Sequence, residues 1–597
     1  MRFITLALFA ASVTCAGTPN SWPPAKYEVH IPKEVMLRMR DGVRLATDLY
    51  TPERAGSKLP AILIRTPYNK APFRDPGSDA QHFAGQGYVV AVQDVRGKYA
   101  SEGEYSEYAG DVSDGYDTIE WLAHQPWSNG NIGTYGCSYL GDVQILLAQA
   151  RHPNLKAMIP AAAGASLADA GDRFYYAGAR KFGVNEIASG LGWYANAASK
   201  VRGKPEKPLP DSELRKFWAT LPVLGMVQRA GGPPTDWDDI VSRELDDPWW
   251  DRLGLIKAGT RFNVPALHIG SWYDYGVAEN LAEFNFFRTN ADTPVARDNQ
   301  FIIISPGNHC QSEHFKEHVI IGAREMGDPR FSYYPLYVQW FDHWLKGADN
   351  GVTSRPKVMV YVMGRNEWRA EHEWPLARTR FTRYYFHSDG HANTRTGTGT
   401  LSTAAPGKES SDGYTYDPGN PVPSRGGPVC CTGNSEAEGS YDQSAIEARP
   451  DVLVYTTPAL KQGVEVTGPL KAVLYVSSSA KDTDFTAKLV DVYPDGRAFN
   501  VQEGILRARY REGFFKKVWM KPGGIVQLSV DLEATSNYFG PGHRIRLEVS
   551  SSNFPRFERN LNTGGNNYDE TKWVTAKNRV HHSAEHASYL LLPVVPD

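Results

Sequence analysis

Cysteine is scarce in this sequence, neither sign of charge dominates it, and long apolar runs are missing. Five cysteines in 597 residues cannot supply the disulfide framework that replaces a core in small secreted domains, so stability must come from burial. A formal net charge of −3 creates no field to gather phosphates, and no Lys/Arg-rich block interrupts the chain, which argues against nucleic acid as a partner. Beyond the N-terminus no stretch approaches about eighteen uninterrupted apolar residues, so no membrane span is expected. No segment repeats at a fixed period.

What is present is enough apolar residue for a substantial core: 41% hydrophobic and 12% aromatic against 22% charged. So long a chain exceeds one core, and about two or three domains are expected. At the start, Arg2, the apolar run from Phe3 to Val13 and the trio Thr14-Cys15-Ala16 form the charge, core and small-residue site of an export signal. Residues 1–16 are read as a cleaved signal peptide and the protein as secreted or periplasmic. A lipid anchor at Cys15 is the lesser alternative. Cys137 and Cys310 each adjoin a candidate site residue, and whether they pair stays open, as it does for Cys430 and Cys431.

Short apolar runs at 60–65, 88–94, 131–136, 265–271 and 301–306 alternate with helical periodicity over 112–124, 139–151 and 277–288. That alternation predicts an α/β domain with a parallel sheet buried on both faces. Its two parts are 25–155 and 258–350. From 156 to 257 the strand signal fades into Ala-, Trp- and Pro-containing helical sequence, including 214–220 and 237–245, read as an inserted cap above the loops that carry chemistry. Residues 355–597 turn to short β-rich runs such as 357–363, 381–387 and 525–532, punctuated by Gly, Pro, Asp and Asn, the pattern of a jelly roll. The Gly/Ser/Pro/Thr-rich stretch 394–438 is read as long surface loops.

Between a predicted strand and a predicted helix lies Gly133-Thr134-Tyr135-Gly136-Cys137-Ser138-Tyr139-Leu140-Gly141. A serine hydroxyl is a weak nucleophile that must stand clear of the backbone within reach of a base, which a tight strand-to-helix turn achieves. The generic G-x-S-x-G pattern is only partly met, because Leu140 stands where the second glycine would be. Asp274 and His309 each follow a predicted strand, giving the chain order Ser, acid, His found in α/β-hydrolases. Function in parallel sheets gathers beyond the carboxyl ends of strands, where Tyr68, Ser138, Asp274 and His309 all fall. His309 is read as general base, in preference to His314, and Asp274 as its orienting carboxylate. The Tyr139 N–H and the Tyr68 hydroxyl are the candidate oxyanion donors. Trp272 and Tyr275 are candidate lining of an apolar substrate pocket, although core packing explains Trp272 equally well.

The chain resembles the cocaine-esterase-like (CocE/NonD) hydrolases, relatives of X-Pro dipeptidyl-peptidases and α-amino acid ester hydrolases. The resemblance rests on Asp94-Val95-Arg96-Gly97 with Ser101-Glu102-Gly103, on Gly136 to Gly141, on Trp272-Tyr273-Asp274, and on three late stretches: Asp482 to Phe485, Pro541 to Arg544 and Ser551 to Arg556. It implies a triad of Ser138, Asp274 and His309, an oxyanion hole from Tyr68 and the Tyr139 amide, a helical cap and a C-terminal jelly roll. Two departures matter. The α-amino acid ester hydrolases carry acidic residues after the triad aspartate to hold an ammonium, whereas Tyr275, Gly276 and Val277 stand here, leaving Asp172 as a lone candidate charge. Ahead of His309 the chain reads Ser305-Pro306-Gly307-Asn308 in place of the usual Gly-Pro-Trp.

The sequence therefore points to a serine hydrolase acting on a small ester, amide or short peptide through an acyl-enzyme. No cofactor or metal is expected, and the oligomeric state is left open. An X-Pro dipeptidyl-peptidase is the alternative; a carbohydrate- or surface-binding protein on an inert hydrolase fold is the alternative of another class. Asp482, Asp484, Asp491 and Asp495 match no calcium loop and are assigned to turns or strand edges. Asp94 and Arg96 are read as a charged pair supporting the site edge, and Cys137 as pointing into the sheet.

Overall fold

The computed structural model describes residues 20–596 except 55, 57, 170–174, 177, 203–208 and 433–437; the expected signal peptide lies outside them. The apolar runs form the middle of a ten-stranded sheet. Its strands are β1 (Lys33–Arg38), β2 (Arg44–Tyr50), β3 (Leu59–Thr66), β4 (Val89–Asp94), β5 (Ser128–Cys137), β6 (Leu155–Ala161), β7 (Ala266–Ser271), β8 (Gln300–Ser305), β9 (Val358–Val362) and β10 (Glu367–Glu371). They lie in the order β1-β2-β4-β3-β5-β6-β7-β8-β9-β10. From β4 to β9 neighbours pair in parallel, with antiparallel strands only toward the edges.

Side chains alternate across each strand, so β3 sends Ala61 and Leu63 into one core and Ile62 and Ile64 into the other. Helices Asp111–Ala123, Tyr139–Ala148 and Val277–Thr289 cover the first face; Asp79–Gly85 and Tyr333–Lys346 cover the second. Burial on both sides explains why these strands read as continuous apolar runs rather than alternating ones.

Two assignments at the domain borders differ from expectation. Residues 155–161, read as the fading of the strand signal, form β6 at the centre of the sheet, between β5 and β7. Lys156 and Pro160 had masked it, since proline is a poor strand residue where a ladder donor is needed. Residues 357–363, read as jelly roll, contain β9, which pairs with β8. An apolar β-branched run looks the same in either domain, and only its partner decides.

Between β6 and β7 rises a largely helical cap, with helices Ile187–Ala197, Asp211–Trp218, Met226–Arg229 and Trp237–Ser242 and short strands that include Arg180–Lys181. The C-terminal domain is an eleven-stranded, almost wholly antiparallel jelly-roll sheet built on the long strands Val464–Ser478 and Val526–Phe539. Short strands Thr400–Ser402 and Asp412–Tyr416 run through the stretch expected to be loops.

Buried ion pairs join the three units. Lys181 of the cap, 1% exposed, donates to the Tyr275 carbonyl at 2.9 Å, pairs with Glu279 of the hydrolase domain at 3.2 Å, and contacts Glu533 of the jelly roll. Arg556 bonds Glu503 at 2.7 Å and approaches Glu186 of the cap at 3.7 Å. The amides of Ile187 and Ala188 donate to the carbonyls of Arg556 and Pro555. The late aspartates, set in and just before the strand Asp484–Val492, are also pairing partners: Asp482 takes Arg509, Asp484 takes Arg507, and Asp491 takes Arg324 and His543. Only Asp495 sits in an exposed turn pair, with Arg497. Asp94 and Arg96 do not pair with one another. Arg96 binds Asp114 and Asp41, while Asp94 accepts the Lys70 amide at 2.8 Å and so anchors the loop after β3.

Replacing Lys181 by Met strands two buried carboxylates, and a loss of about 3–5 kcal/mol is expected. Urea unfolding checks this; a midpoint equal to that of the parent protein rules out the junction as a source of stability.

Candidate active site

At the end of β5 the chain turns sharply at Ser138, with φ 64° and ψ −132°, and the helix Tyr139–Ala148 begins. A positive φ on a residue with a Cβ costs on the order of 1–3 kcal/mol and persists only where its surroundings enforce it. Here the Ser138 amide donates to the Ala161 carbonyl at 2.9 Å, and the Gly141 and Asp142 amides cap the Ser138 carbonyl at 2.7 and 2.9 Å. The glycine spacing has a local reason. A Cβ on Gly136 would lie 2.5 Å from that of Leu140, and one on Gly141 would lie 2.4 Å from the Ala161 oxygen of β6. Leu140 can therefore stand in the generic glycine position because the close approach to the next strand falls one residue later.

Asp274 and His309 lie on the loops after β7 and β8, which are stitched together: the Trp272 amide donates to the Ser305 carbonyl at 2.8 Å and the Tyr273 amide to the Gly307 carbonyl at 3.1 Å. From the jelly roll, Gln502 donates to the Trp272 carbonyl at 2.9 Å and the Asn500 carbonyl accepts the Tyr273 hydroxyl at 3.0 Å. Thus braced, the buried Asp274 carboxylate places both oxygens 3.1 Å from His309 Nδ1. Burial alone favours the neutral ring, but the Asp274 charge and hydrogen bond outweigh it and push the imidazole pKa from 6.5 up to about 9.

Cys137 and Cys310 form a disulfide across 173 residues of sequence. It fastens the residue before Ser138 to the residue after His309. The His309 Nε2 atom is buried and has no hydrogen-bond partner among the described residues. The Tyr68 hydroxyl, which lines the same cavity as Ser138, accepts the Trp193 indole N–H at 3.1 Å. Desolvation first, then the Cys431 sulfur nearby, raises the Tyr68 phenol above its ordinary range and keeps its proton in place. The Tyr139 amide is the first of the helix and so has no acceptor within it. The Tyr139 side chain is fixed by Asp111 at 2.6 Å, itself held by Arg65 at 2.9 Å.

A small cavity of about 40 Å³ opens over Ser138, walled by Tyr68, Tyr139, Tyr275 and, from the cap, Trp193. The Tyr275 ring centre lies 5.0 Å from that of His309. Trp272, the other predicted lining residue, is fully buried away from this cavity and donates its indole N–H to the Tyr361 carbonyl at 2.7 Å. It packs the hydrolase domain against Trp374 instead. Asp172 lies outside the described residues. His314 is exposed and apart from the cavity.

Several cavity residues escaped the sequence reading. Asp142 accepts the Tyr108 hydroxyl at 2.9 Å and the Ala165 amide at 3.1 Å, and burial pushes its carboxyl up to about 7. Glu107, which contacts the Tyr194 hydroxyl, is likewise raised by burial. Cys430 and Cys431, both thiols, enter from the jelly-roll segment that had looked like surface loop. The Cys-Cys dipeptide was the available signal, but nothing local ties it to residues more than a hundred positions earlier.

The pattern of the X-Pro dipeptidyl-peptidase (S15 family) matches residues 41–311, and that of the X-Pro dipeptidyl-peptidase C-terminal non-catalytic domain matches 350–591. A cocaine esterase from Rhodococcus sp. (strain MB1 Bresler) is 39% identical over 591 residues, covering 95% of this chain and 98% of its own. An aminopeptidase structure from the marine sediment archaeon Thaumarchaeota archaeon superposes with TM-score 0.80 at 26% identity, covering 97% of this chain and 99% of the other. An α-amino acid ester hydrolase superposes with TM-score 0.78 at 25% identity, covering 99% and 100%.

Two outcomes follow from this geometry. Opening the disulfide with Cys137→Ala and Cys310→Ala is expected to cost up to about 5 kcal/mol by the loop-entropy relation, read as a lower denaturation midpoint; an unmoved midpoint contradicts it. Because the folded-state pKa of His309 is raised, the stability it contributes is full below 6.5 and lost as pH climbs through about 9. The His309 ring resonances should shift with a midpoint near 9, and at lower pH in Asp274→Asn; identical midpoints in both proteins would refute the pairing.

Proposed function

Since this chain belongs to the cocaine-esterase-like (CocE/NonD) hydrolases, we propose that it hydrolyses carboxylic esters of small molecules through an acyl-enzyme on Ser138. The observation that carries this reading is the joining of a strained strand-to-helix serine, through the Cys137–Cys310 bond, to an imidazole whose Nδ1 faces a buried carboxylate at 3.1 Å.

In the proposed reaction Ser138 Oγ attacks the ester carbonyl carbon while His309 Nε2 takes the hydroxyl proton. Asp274 holds the ring with Nε2 turned outward and balances the positive charge it acquires. The negative charge developing on the carbonyl oxygen is met by the Tyr68 hydroxyl and the Tyr139 amide. The imidazolium then protonates the departing alcohol; a water deprotonated by the same ring attacks the acyl carbon, and the ring returns that proton to Ser138 Oγ as the acid leaves. His309 Nε2 has no hydrogen-bond partner among the described residues, which fits a resting arrangement, since catalytic hydrogen bonds often tighten only with substrate in place. Tyr139, Tyr275 and Trp193 give the cavity aromatic walls, which favour an apolar or aromatic acyl group.

Export belongs to the same proposal. A disulfide beside the nucleophile persists in an oxidising compartment, in keeping with the signal-like residues 1–16.

Ser138→Ala is expected to lower turnover of an aryl ester by about 10⁴- to 10⁶-fold with the fold intact, and Tyr68→Phe by about 10²- to 10³-fold, the effect of losing one oxyanion donor. Near-parental rates for Ser138→Ala overturn the assignment. A panel setting aryl esters beside X-Pro amides separates esterase from dipeptidyl-peptidase, and labelling by a fluorophosphonate separates either from an inert binding protein.

A further inference from the structure

Cys430 and Cys431 take no part in the reaction described above, yet they sit beside its base. A ring nitrogen of His309 and the two sulfurs all lie within 4.8 Å of one another. Nδ1 is committed to Asp274, so the open nitrogen is Nε2, which is buried without a hydrogen-bond partner on a side chain only 10% exposed. The two cysteines are adjacent in sequence, and both are thiols. Their backbone is also held in place: Cys431 has φ 61°, and its carbonyl would lie 2.3 Å from a Cβ at Gly192, so the cap helix closes directly on it.

We propose that His309 Nε2, Cys430 Sγ and Cys431 Sγ form a binding site for a thiophilic divalent cation such as Zn²⁺ or Cd²⁺, whose occupation silences the hydrolase by capturing its general base. One imidazole and two thiolates are a donor set suited to such ions, and three protein ligands leave a fourth position for water. Asp274 completes the arrangement, because a histidine bound to metal through one nitrogen usually donates its other N–H to a carboxylate. Bond lengths of about 2.3 Å to sulfur and 2.0–2.1 Å to nitrogen place tetrahedral ligands about 3.3–3.8 Å apart, so the three side chains need only draw together. Each thiol that ligates releases its proton to solvent, as does the His309 ring where it is protonated, and binding therefore weakens as pH falls. The cation would sit at the edge of the cavity that holds Ser138.

This inference rests on His309 being the base, so its test separates the two. Cd²⁺ is added stepwise to the purified protein with its disulfide intact, following both the ultraviolet thiolate-to-cadmium charge-transfer band and ester hydrolysis. The band should saturate at one ion per chain, activity should vanish over the same range, and EDTA should restore it. Ser138→Ala should retain the band, because it keeps every ligand. Cys430→Ser/Cys431→Ser should lose it, and inhibition, measured against that variant's own starting rate, should need at least tenfold more Cd²⁺. Absence of the band in the parent protein, or equal sensitivity of the double variant, overturns the site. A parent protein that hydrolyses no ester before metal is added, yet shows the band, overturns the proposed function instead.

Discussion

Residues 137 and 310 are held by one covalent bond, and around it the rest of the site is arranged. On one side stands a serine whose backbone angles are unfavourable in isolation; on the other, an imidazole whose partner carboxylate is buried. The disulfide ties the β5 turn to the loop after β8 and so limits how far Ser138 and His309 can drift apart. His309 Nε2 is left without a hydrogen-bond partner of its own among the described residues.

Around that clasp, the acid's loop is fastened by hydrogen bonds from a different domain. Asn500 and Gln502, on a jelly-roll strand, bind Tyr273 and the Trp272 carbonyl. Lys181 of the cap reaches the Tyr275 carbonyl on the same loop. The jelly roll and cap therefore act on the site mechanically, as buttresses of the segment that carries Asp274, as well as by walling the cavity. Only the Lys181 contact brings a buried charge, and that charge is paired with Glu279 and Glu533, since an unpaired buried charge costs several kcal/mol.

The same domain convergence brings in Cys430 and Cys431. A hydrolase domain alone would present His309 to solvent or substrate; the jelly-roll segment places two thiols beside it. Acyl transfer and soft-metal binding would thus compete for one nitrogen. Asp142 and Glu107 add two carboxyls to the cavity wall whose pKa values burial raises, so that wall is less acidic than its composition suggests.

Sequence by itself determined the alternation of buried strands and helices, the sharp turn at Ser138, and the chain order of serine, acid and histidine, because each is written in local periodicity or in a few adjacent residues. It stopped short where identity depends on a partner: β6 with its Pro160, β9 joining the hydrolase sheet through β8, Trp272 left between pocket lining and core, and Arg96 paired with Asp94 rather than Asp114. Tertiary structure alone decided that Cys137 meets Cys310 and that Cys430 and Cys431 reach His309. The physical reason is that local preferences act over a few residues, whereas these contacts close loops of more than a hundred, and only the packing of three domains selects which distant side chains share a wall.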